Sequence, residues 1–291
     1  MALDGILLIN KEAGRTSFET VQLVRKRIGA RKAGHTGTLD KSASGLLLVC
    51  INRATSIQSL LTNHFKQYRG TVRFGIETDT LDNDGHVVRS GPVGLFSTSR
   101  IKGVLDGFKG KVEQVPPVYS ALHKDGERLH RLARSGREVS ADPREVEISD
   151  LTLLKNNGSS ICIDVTASRG TYVRSLARDI AHSLGTCGYL SKLHRLRIGS
   201  FSVENAISVD EVEESTPLLS MVKALQDFPQ LEIGEKLAHR VRNGTPAPKI
   251  LQSLEMELPQ SDYICLVNDN RLVAIVELKQ KPGYFKVFTS S

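Results

Sequence analysis

Apolar residues recur with strand-like patterns in the first 75 residues. Residues 4–11 and 46–51 are short, nearly continuous apolar runs, which are typical of strands. Residues 66–74 alternate apolar with basic or polar side chains, the period of a strand with one buried face. This alternation predicts that Tyr68 lies on the same face as the apolar residues.

An amphipathic helix is predicted after the first strand. Thr16 and Glu19 have the spacing of a capping box, in which each side chain accepts a hydrogen bond from the other residue's backbone N–H. The apolar face predicted for this helix is formed by Phe18, Val21, Val24 and Ile28.

Helices and strands alternate irregularly further along the chain. Helices are predicted near 54–63, 98–109 and 171–184, and strands near 145–154 and 160–167. Because no regular βαβ repeat emerges, residues 1–228 are expected to form an α+β domain and not a doubly wound sheet. Residues 229–291 contain one helix candidate and three strand-like runs, so a second, small, mostly β domain is expected there.

The composition suits a globular protein with a polyanionic partner. The 291 residues are 40% hydrophobic, and 39 basic against 32 acidic residues give a net charge of +7. We find neither a charged leader followed by an apolar stretch nor an apolar run of about 18 residues, so we expect a cytoplasmic protein without a membrane partner. The four cysteines lack metal-binding spacing: Cys50, Cys162, Cys187 and Cys265. Three of them have apolar neighbours and are expected to be small core residues.

The segment GHTGTLD presents a single carboxylate, Asp40, just before the apolar run 46–51. An Asp in a loop rich in Gly and Thr most often stabilises a turn. However, Gly34 and Gly37 permit backbone geometries closed to other residues, and a partly desolvated carboxylate needs a cation or hydrogen-bond donors. A structural and a catalytic role are both open for Asp40 at this point.

Arg174 is the best candidate for that cation, because it falls in the first turn of the helix predicted over 171–184. An alternative is that Arg174 and Arg178 form an exposed basic face with i,i+4 spacing. Spacing alone favours this second interpretation.

Two further segments carry chemistry-bearing residues. The segment ETDTLDNDG, residues 77–85, resembles a calcium loop but has Thr80 and Gly91 where such a loop needs acidic residues. A hairpin is therefore predicted there. No motif in the sequence indicates a nucleotide, metal or redox cofactor.

Residues 115–139 are rich in arginine and in flat rings, which suit RNA phosphates and splayed bases. The arginines with helical spacing are Arg128, Arg131 and Arg134, and a solvated helix face explains them equally well.

Five segments resemble, in order, the motifs of the TruB family of tRNA pseudouridine synthases. They are GHTGTLD, SASGLLLVC, KQYRGTVRFGIETDTLDNDG, VPPVYSALHKDGERLHRLARSG and SRGTYVRSLARDIA, and the resemblance extends from residue 4 to about 205. It implies the pseudouridine synthase fold, with a mixed, largely antiparallel central sheet and flanking helices. The implied reaction detaches a uridine base in the T loop of tRNA (position 55) at N1 and rejoins it through C5, without a cofactor.

The resemblance also implies roles for individual residues. Asp40 becomes the catalytic aspartate, acting as nucleophile or base, and Arg174 the arginine that pairs with it. Tyr68 becomes the tyrosine that stacks on the uracil and has been assigned a base role. One departure is Lys41, which stands where the family usually has a proline and so removes a constraint on the loop.

Other residues are implied to contact RNA. Tyr172 would support the pocket, Lys11 would lie beside the active-site loop, and Leu193 would form an apolar wall. His35 would fill the space left when the target base is flipped out of the T loop.

The implied partner is the T arm of tRNA. Residues 119–139 would close on it, and residues 229–291 would form a PUA-like RNA-binding domain of a monomeric enzyme. Two alternatives stay open: a related synthase that uses a guide RNA, which the short C-terminal part disfavours, and a catalytically idle RNA-binding module, which the presence of Asp40, Tyr68 and Arg174 disfavours.

Overall fold

The structure is a computed structural model that describes residues 4–119, 123–124, 127–128, 141–254, 257 and 259–289. Its strands are β1 (Gly5–Lys11), β2 (Ala33–His35), β3 (Ser44–Ile51), β4 (Lys66–Phe74), β5 (Ile76–Thr78), β6 (Val87–Ser90), β7 (Gly110–Gln114), β8 (His123–Lys124), β9 (Glu127–Arg128), β10 (Arg144–Asn156), β11 (Ser160–Ala167), β12 (Gly188–Ile198), β13 (Phe201–Ser202), β14 (Gln230–Glu232), β15 (Tyr263–Asn268), β16 (Arg271–Glu277) and β17 (Gly283–Val287). Its α-helices are α1 (Ser17–Arg27), α2 (Gln58–Thr62), α3 (Thr98–Asp106), α4 (Val173–Ser183), α5 (Met221–Ala224), α6 (Glu235–Arg242) and α7 (Ala247–Gln252).

A nine-stranded mixed sheet organises the larger part of the chain. The strand order is β1-β3-β12-β4-β11-β10-β7, with β2 paired to β3 and β13 to β12. Its pairs are antiparallel except for β12 with β3, which run parallel. The prediction of an α+β domain with a largely antiparallel sheet is therefore confirmed.

Helices cover both faces of this sheet. Helices α1, α3 and α4 pack on one face, α1 against Leu47 and Val49 of β3, and α3 and α4 against Val72 and Ile163. Helices α2 and α5 pack on the opposite face, with Leu46 and Leu48 of β3. Residues 46–51 are completely buried, which explains why this strand is apolar at every position. The described residues contain no helix long and apolar enough to cross a membrane.

Helix α1 forms where the sequence predicts it, but one of its predicted core residues lies outside. The Thr16–Glu19 capping box is present in full. Val21 is buried, whereas Phe18 is 68% exposed, so its predicted place in the core is wrong. Ser17, one helical turn before Val21, occupies that face instead.

Strand β12 was not predicted, although it lies between β3 and β4 at the centre of the sheet. Its pairing with β4 shifts register at Leu190/Lys192 and at Arg195/Arg197, so no clean alternation shows in the sequence. Where it meets β3, Gly45 has φ +104°, and a Cβ there would lie 2.3 Å from the carbonyl oxygen of Arg195. Only glycine fits this approach of two backbones.

A small C-terminal domain carries its own sheet, as predicted. Strands β14–β17 form a four-stranded sheet in the order β14-β15-β16-β17, and helices α6 and α7 pack on one face of this sheet. Its other face joins the core of the larger part, where Cys265 and Leu272 share a cluster with Ile6 and Leu46. The four cysteines are free; Cys162 is half-buried and the other three are buried, as expected for small core residues.

Candidate active site

The loop that carries Asp40 is fixed on both sides by hydrogen bonds. The Ser17 hydroxyl accepts from the backbone N–H of Leu39 at 2.8 Å and donates to its carbonyl at 2.9 Å. On the other side, the carbonyl of Lys41 accepts from Gly14 N–H at 2.7 Å. The β1–α1 segment therefore holds the loop in place.

Arg174 and Asp40 form an ion pair. Arg174 Nη2 donates to Asp40 Oδ1 at 3.3 Å, and Nε lies 2.9 Å from Oδ2 but is not aligned for a hydrogen bond. The Arg174 side chain is 7% exposed, which contradicts the alternative of an exposed basic helix face, whereas Asp40 is 40% exposed. The pair thus has a buried cation and an accessible carboxylate.

The loop between β5 and β6 holds Arg174 from the other side. The Arg174 guanidinium donates to the carbonyl of Thr80 at 2.8 Å and lies 3.6 Å from Asp82 Oδ2. Asp82 is itself fixed, because it accepts from the Thr80 hydroxyl at 2.5 Å and from Asp84 N–H at 3.1 Å. The hairpin prediction for ETDTLDNDG is confirmed, but this role of Asp82 was missed.

A cavity of about 460 Å³ opens beside Asp40. Four of the residues that the sequence singled out line it together with Asp40: Tyr68, Tyr172, Arg174 and Leu193. They come from β4, the start of α4 and β12, so the sheet and one helix N-terminus bring distant motifs together.

Lys11 and His35 lie next to this cavity but do not line it. The Lys11 ammonium is fully buried and donates to the carbonyls of Glu12 and Arg15, each at 2.8 Å. Burial lowers the pKa of Lys11 to about 8, and the nearby charge of Arg195 adds to this effect. His35 Nδ1 accepts from Gly37 N–H at 3.3 Å, and burial lowers the pKa of His35 as well.

Three tyrosines line the cavity: Tyr68, Tyr119 and Tyr172. Tyr68 lies directly opposite Arg195 in the β4–β12 pair, on the same face of the sheet. The backbone of Tyr172 is clamped by the Gln114 amide, which accepts at 2.7 Å and donates at 3.1 Å, and the Arg144 guanidinium stacks 4.7 Å from the Tyr172 ring centre. The ring of Tyr172 therefore has a defined orientation at the cavity wall.

Three cations of the cavity wall escaped the sequence analysis: Lys66, Arg169 and Arg195. A signal existed for Lys66, because it lies two residues before Tyr68 and so on the same face of β4. Arg195 likewise lies two residues from Leu193, but this spacing indicates a shared face only if residues 188–198 are known to form a strand. It is 1% exposed and donates to the carbonyls of Leu46 at 2.7 Å and Gly37 at 3.1 Å.

The predicted RNA-contacting arginines are placed only in part. The backbone of Arg128 lies in β9, which pairs with β8, so the helical spacing expected from this position is wrong. Arg131 and Arg134 lie outside the described residues.

Comparison with known proteins agrees with this geometry. Residues 25–173 match the N-terminal domain of the TruB family of pseudouridylate synthases. A tRNA pseudouridine synthase B of Caldanaerobacter subterraneus subsp. tengcongensis is 41% identical over 84% of this chain and 86% of that protein. One of the same name from Clostridium tetani is 32% identical over 97% of this chain and 98% of that protein.

Among solved structures, a chain of a Cbf5–Nop10–Gar1 complex superimposes with a TM-score of 0.72 at 23% identity, covering 99% of this chain and 84% of that one. A chain of an H/ACA RNP bound to a substrate RNA containing 2'-deoxyuridine gives a TM-score of 0.71 at 22% identity, covering 98% of this chain and 85% of that one. These likenesses identify the pseudouridine synthase fold. On the strength of the family match and of relatives at 32% and 41% identity, the chain belongs to the TruB family of pseudouridylate synthases.

Proposed function

We propose that this enzyme isomerises a uridine in the T loop of tRNA, at position 55, to pseudouridine. The names of its relatives, tRNA pseudouridine synthase B, support tRNA as the substrate. The observation that carries the proposal is the cavity that the accessible carboxylate of Asp40 lines together with its buried partner Arg174 and the rings of Tyr68 and Tyr172.

The reaction exchanges one bond of the base for another. The bond between N1 of uracil and C1' of ribose breaks, and a bond between C5 and C1' forms, while C5 loses a proton and N1 gains one. Atoms and electrons balance without an oxidant, a reductant or water. The protein must supply a nucleophile or base, a surface that holds the detached uracil, and a route for that proton.

The cavity residues divide these tasks. Asp40 serves as the nucleophile or base at the reacting centre, and Arg174 fixes its direction by charge and by one hydrogen bond. Tyr68 stacks on the uracil, with its hydroxyl available for the C5 proton, while Tyr172 and Leu193 complete the walls. Such a pocket excludes water, which keeps the detached base from escaping.

The target base must leave the stack of the T loop before it can reach Asp40, at a cost of a few kcal/mol. We propose that His35, at the end of β2 and just before the loop that carries Asp40, fills the space that the flipped base leaves in the T loop. Residues 119–139 then close on the T arm, and residues 229–291 act as a PUA-like RNA-binding domain. The basic net charge of +7 supports both contacts.

We also propose that the enzyme works as a monomer, without a guide RNA, in the cytoplasm. Its four free cysteines support a reducing compartment, where thiols persist.

The test is incubation of the purified protein with unmodified tRNA, followed by chemical mapping of pseudouridine. We expect conversion of one T-loop uridine without added nucleotide or metal. Conversion that requires a guide RNA would support the related guide-dependent class instead, and tight binding without conversion would support an idle RNA-binding module.

A further inference from the structure

The wall of the Asp40 cavity carries an excess of positive charge. Among its lining residues, four are cations and one is a carboxylate: Lys66, Arg169, Arg174 and Arg195 against Asp40. Asp40 and Arg174 neutralise each other, so three cations remain without an acid in the lining. A wall of this kind attracts an anionic ligand.

Lys66 is a buried cation whose hydrogen bonds are incomplete. Its side chain is buried, and its ammonium donates to the carbonyls of Thr62 at 2.8 Å and His64 at 2.7 Å. An ammonium has three N–H donors, so the described residues account for two of them. Its charged neighbours are both cations, Arg195 and Arg169, and burial together with these charges lowers the pKa of Lys66 to about 8. A buried charge in such surroundings is costly unless a ligand compensates it.

Lys11 provides an internal comparison. It too is buried, donates to two backbone carbonyls and has its pKa lowered to about 8. Two features differ: Lys11 does not line the cavity, and the carboxylates of Asp40 and Glu19 lie close enough to favour its charge. Lys11 is compensated within the protein, and Lys66 is not.

The cavity wall around Lys66 contains two further cations, Arg169 and Arg195. The Lys66 stem lies against Gly37, where a Cβ would be 3.6 Å from Lys66 Cε. Arg169 is exposed and its guanidinium is oriented by Asn63 Oδ1 at 2.8 Å. Arg195 donates to the carbonyls of Leu46 and Gly37, which account for two of its five N–H groups, and its charge adds to that of the wall.

We propose that Lys66 and Arg169 form a phosphate-binding subsite inside the cavity, which holds a phosphodiester group adjoining the nucleotide presented to Asp40. The subsite rests on the proposed function, because it is RNA that brings the phosphodiester there. A phosphodiester fits better than a uracil carbonyl, since a carbonyl needs one donor whereas this wall offers converging charge. It fixes the sugar–phosphate backbone while the base is turned toward Tyr68.

A chemical double-mutant cycle tests the subsite. Binding of a T-arm stem-loop RNA is measured in an Asp40→Asn background, with either natural linkages or one neutral methylphosphonate on the 5' or the 3' side of the target uridine. We expect Lys66→Met to weaken binding of natural RNA roughly tenfold or more, the worth of one hydrogen bond to a charged group. One of the two methylphosphonates should weaken the parent by a similar factor and cause no further loss in Lys66→Met.

Matched variants separate this role from a structural one. Lys66→Arg should restore most of the affinity, and Lys11→Met should lower thermal stability without coupling to either methylphosphonate. If Lys66→Met does not fold, Arg169→Gln carries the test, because Arg169 is exposed and its replacement does not disturb the core. The subsite would be overturned if, at both linkages, the losses of RNA affinity caused by Lys66→Met and by the methylphosphonate simply added. It would also be overturned if inorganic phosphate weakened RNA binding while neither methylphosphonate did.

The proposed function is tested separately, by turnover of natural RNA with Asp40 intact. If Lys66→Met and one methylphosphonate couple in RNA binding but natural RNA is not converted, the subsite is supported and the proposed function is contradicted. Turnover without coupling would keep the function and remove the subsite.

Discussion

Arg174 lies along the carboxylate of Asp40, with Nη2 3.3 Å from Oδ1 and Nε 2.9 Å from Oδ2, although the two residues are 134 positions apart. The arrangement is asymmetric, since the arginine is 7% exposed and the aspartate 40%. The carbonyls of Thr80 and Tyr119 hold the guanidinium from the protein side. Asp40 is therefore oriented by a fixed cation and keeps an accessible face toward the cavity.

Asp40→Asn should abolish pseudouridine formation while leaving tRNA affinity close to that of the wild type. The amide keeps the size of the side chain but has no charge with which to act as nucleophile or base. Because Asp40 is 40% exposed, little stability should be lost. Single-turnover conversion, RNA binding and a thermal melt measure the three effects. Near-normal turnover would show that Asp40 is a structural residue.

Arg174→Ala should reduce both activity and stability. The substitution leaves Asp82, which is 11% exposed, and the carbonyl of Thr80 without their partner, and unpaired buried groups cost about 1–3 kcal/mol each. Arg174→Lys retains the charge but cannot reach Asp40, Thr80 and Tyr119 together, so it should recover stability more than activity. Denaturant unfolding and conversion assays on the two variants give the comparison. Equal activity in Arg174→Lys and the wild type would argue against orientation of Asp40 by the guanidinium.

Strands β4 and β12 show how the periodicity of a strand decides whether the sequence reveals it. Strand β4 alternates without interruption, so the inward face of Tyr68 could be deduced from it. Strand β12 carries two register shifts, and the buried Arg195 went unnoticed with it. The pairing of Arg174 with Asp40 could not be deduced from spacing, because an i,i+4 pair of arginines is commonly a solvated helix face. It became an expectation only through the family resemblance.

Gly45→Ala should destabilise the junction between β3 and β12. A Cβ at Gly45 would lie 2.3 Å from the carbonyl oxygen of Arg195, and its φ of +104° is unfavourable for alanine. The expected displacement of Arg195 would also disturb Tyr68, its partner in the β4–β12 pair. Gly103→Ala is a matched control, because it lies within α3 and a Cβ there meets nothing within 4 Å. We expect a lower Tm and lower activity for Gly45→Ala, and an unchanged or slightly higher Tm for Gly103→Ala.

The lowered pKa of Lys66 should make the free energy of unfolding rise as the pH increases above about 8. Burial, reinforced by Arg195 and Arg169, lowers the pKa of Lys66 to about 8 from 10.5 in the unfolded chain. Between these two values the unfolded chain binds a proton that the folded protein does not, so the free energy of unfolding rises with pH, by at most about 1.4 kcal/mol per pH unit. Below pH 8 both states are protonated and the slope disappears.

The measurement compares urea unfolding of the wild type and Lys66→Met from pH 7 to pH 10. Other lysines titrate in both proteins and cancel in the difference. Lys11, whose pKa is also lowered to about 8, gives the same test through Lys11→Met. We expect the stability of the wild type relative to each variant to rise between pH 8 and pH 10. A difference that stays constant across this range would mean that the folded protein does not disfavour the charged form of that lysine.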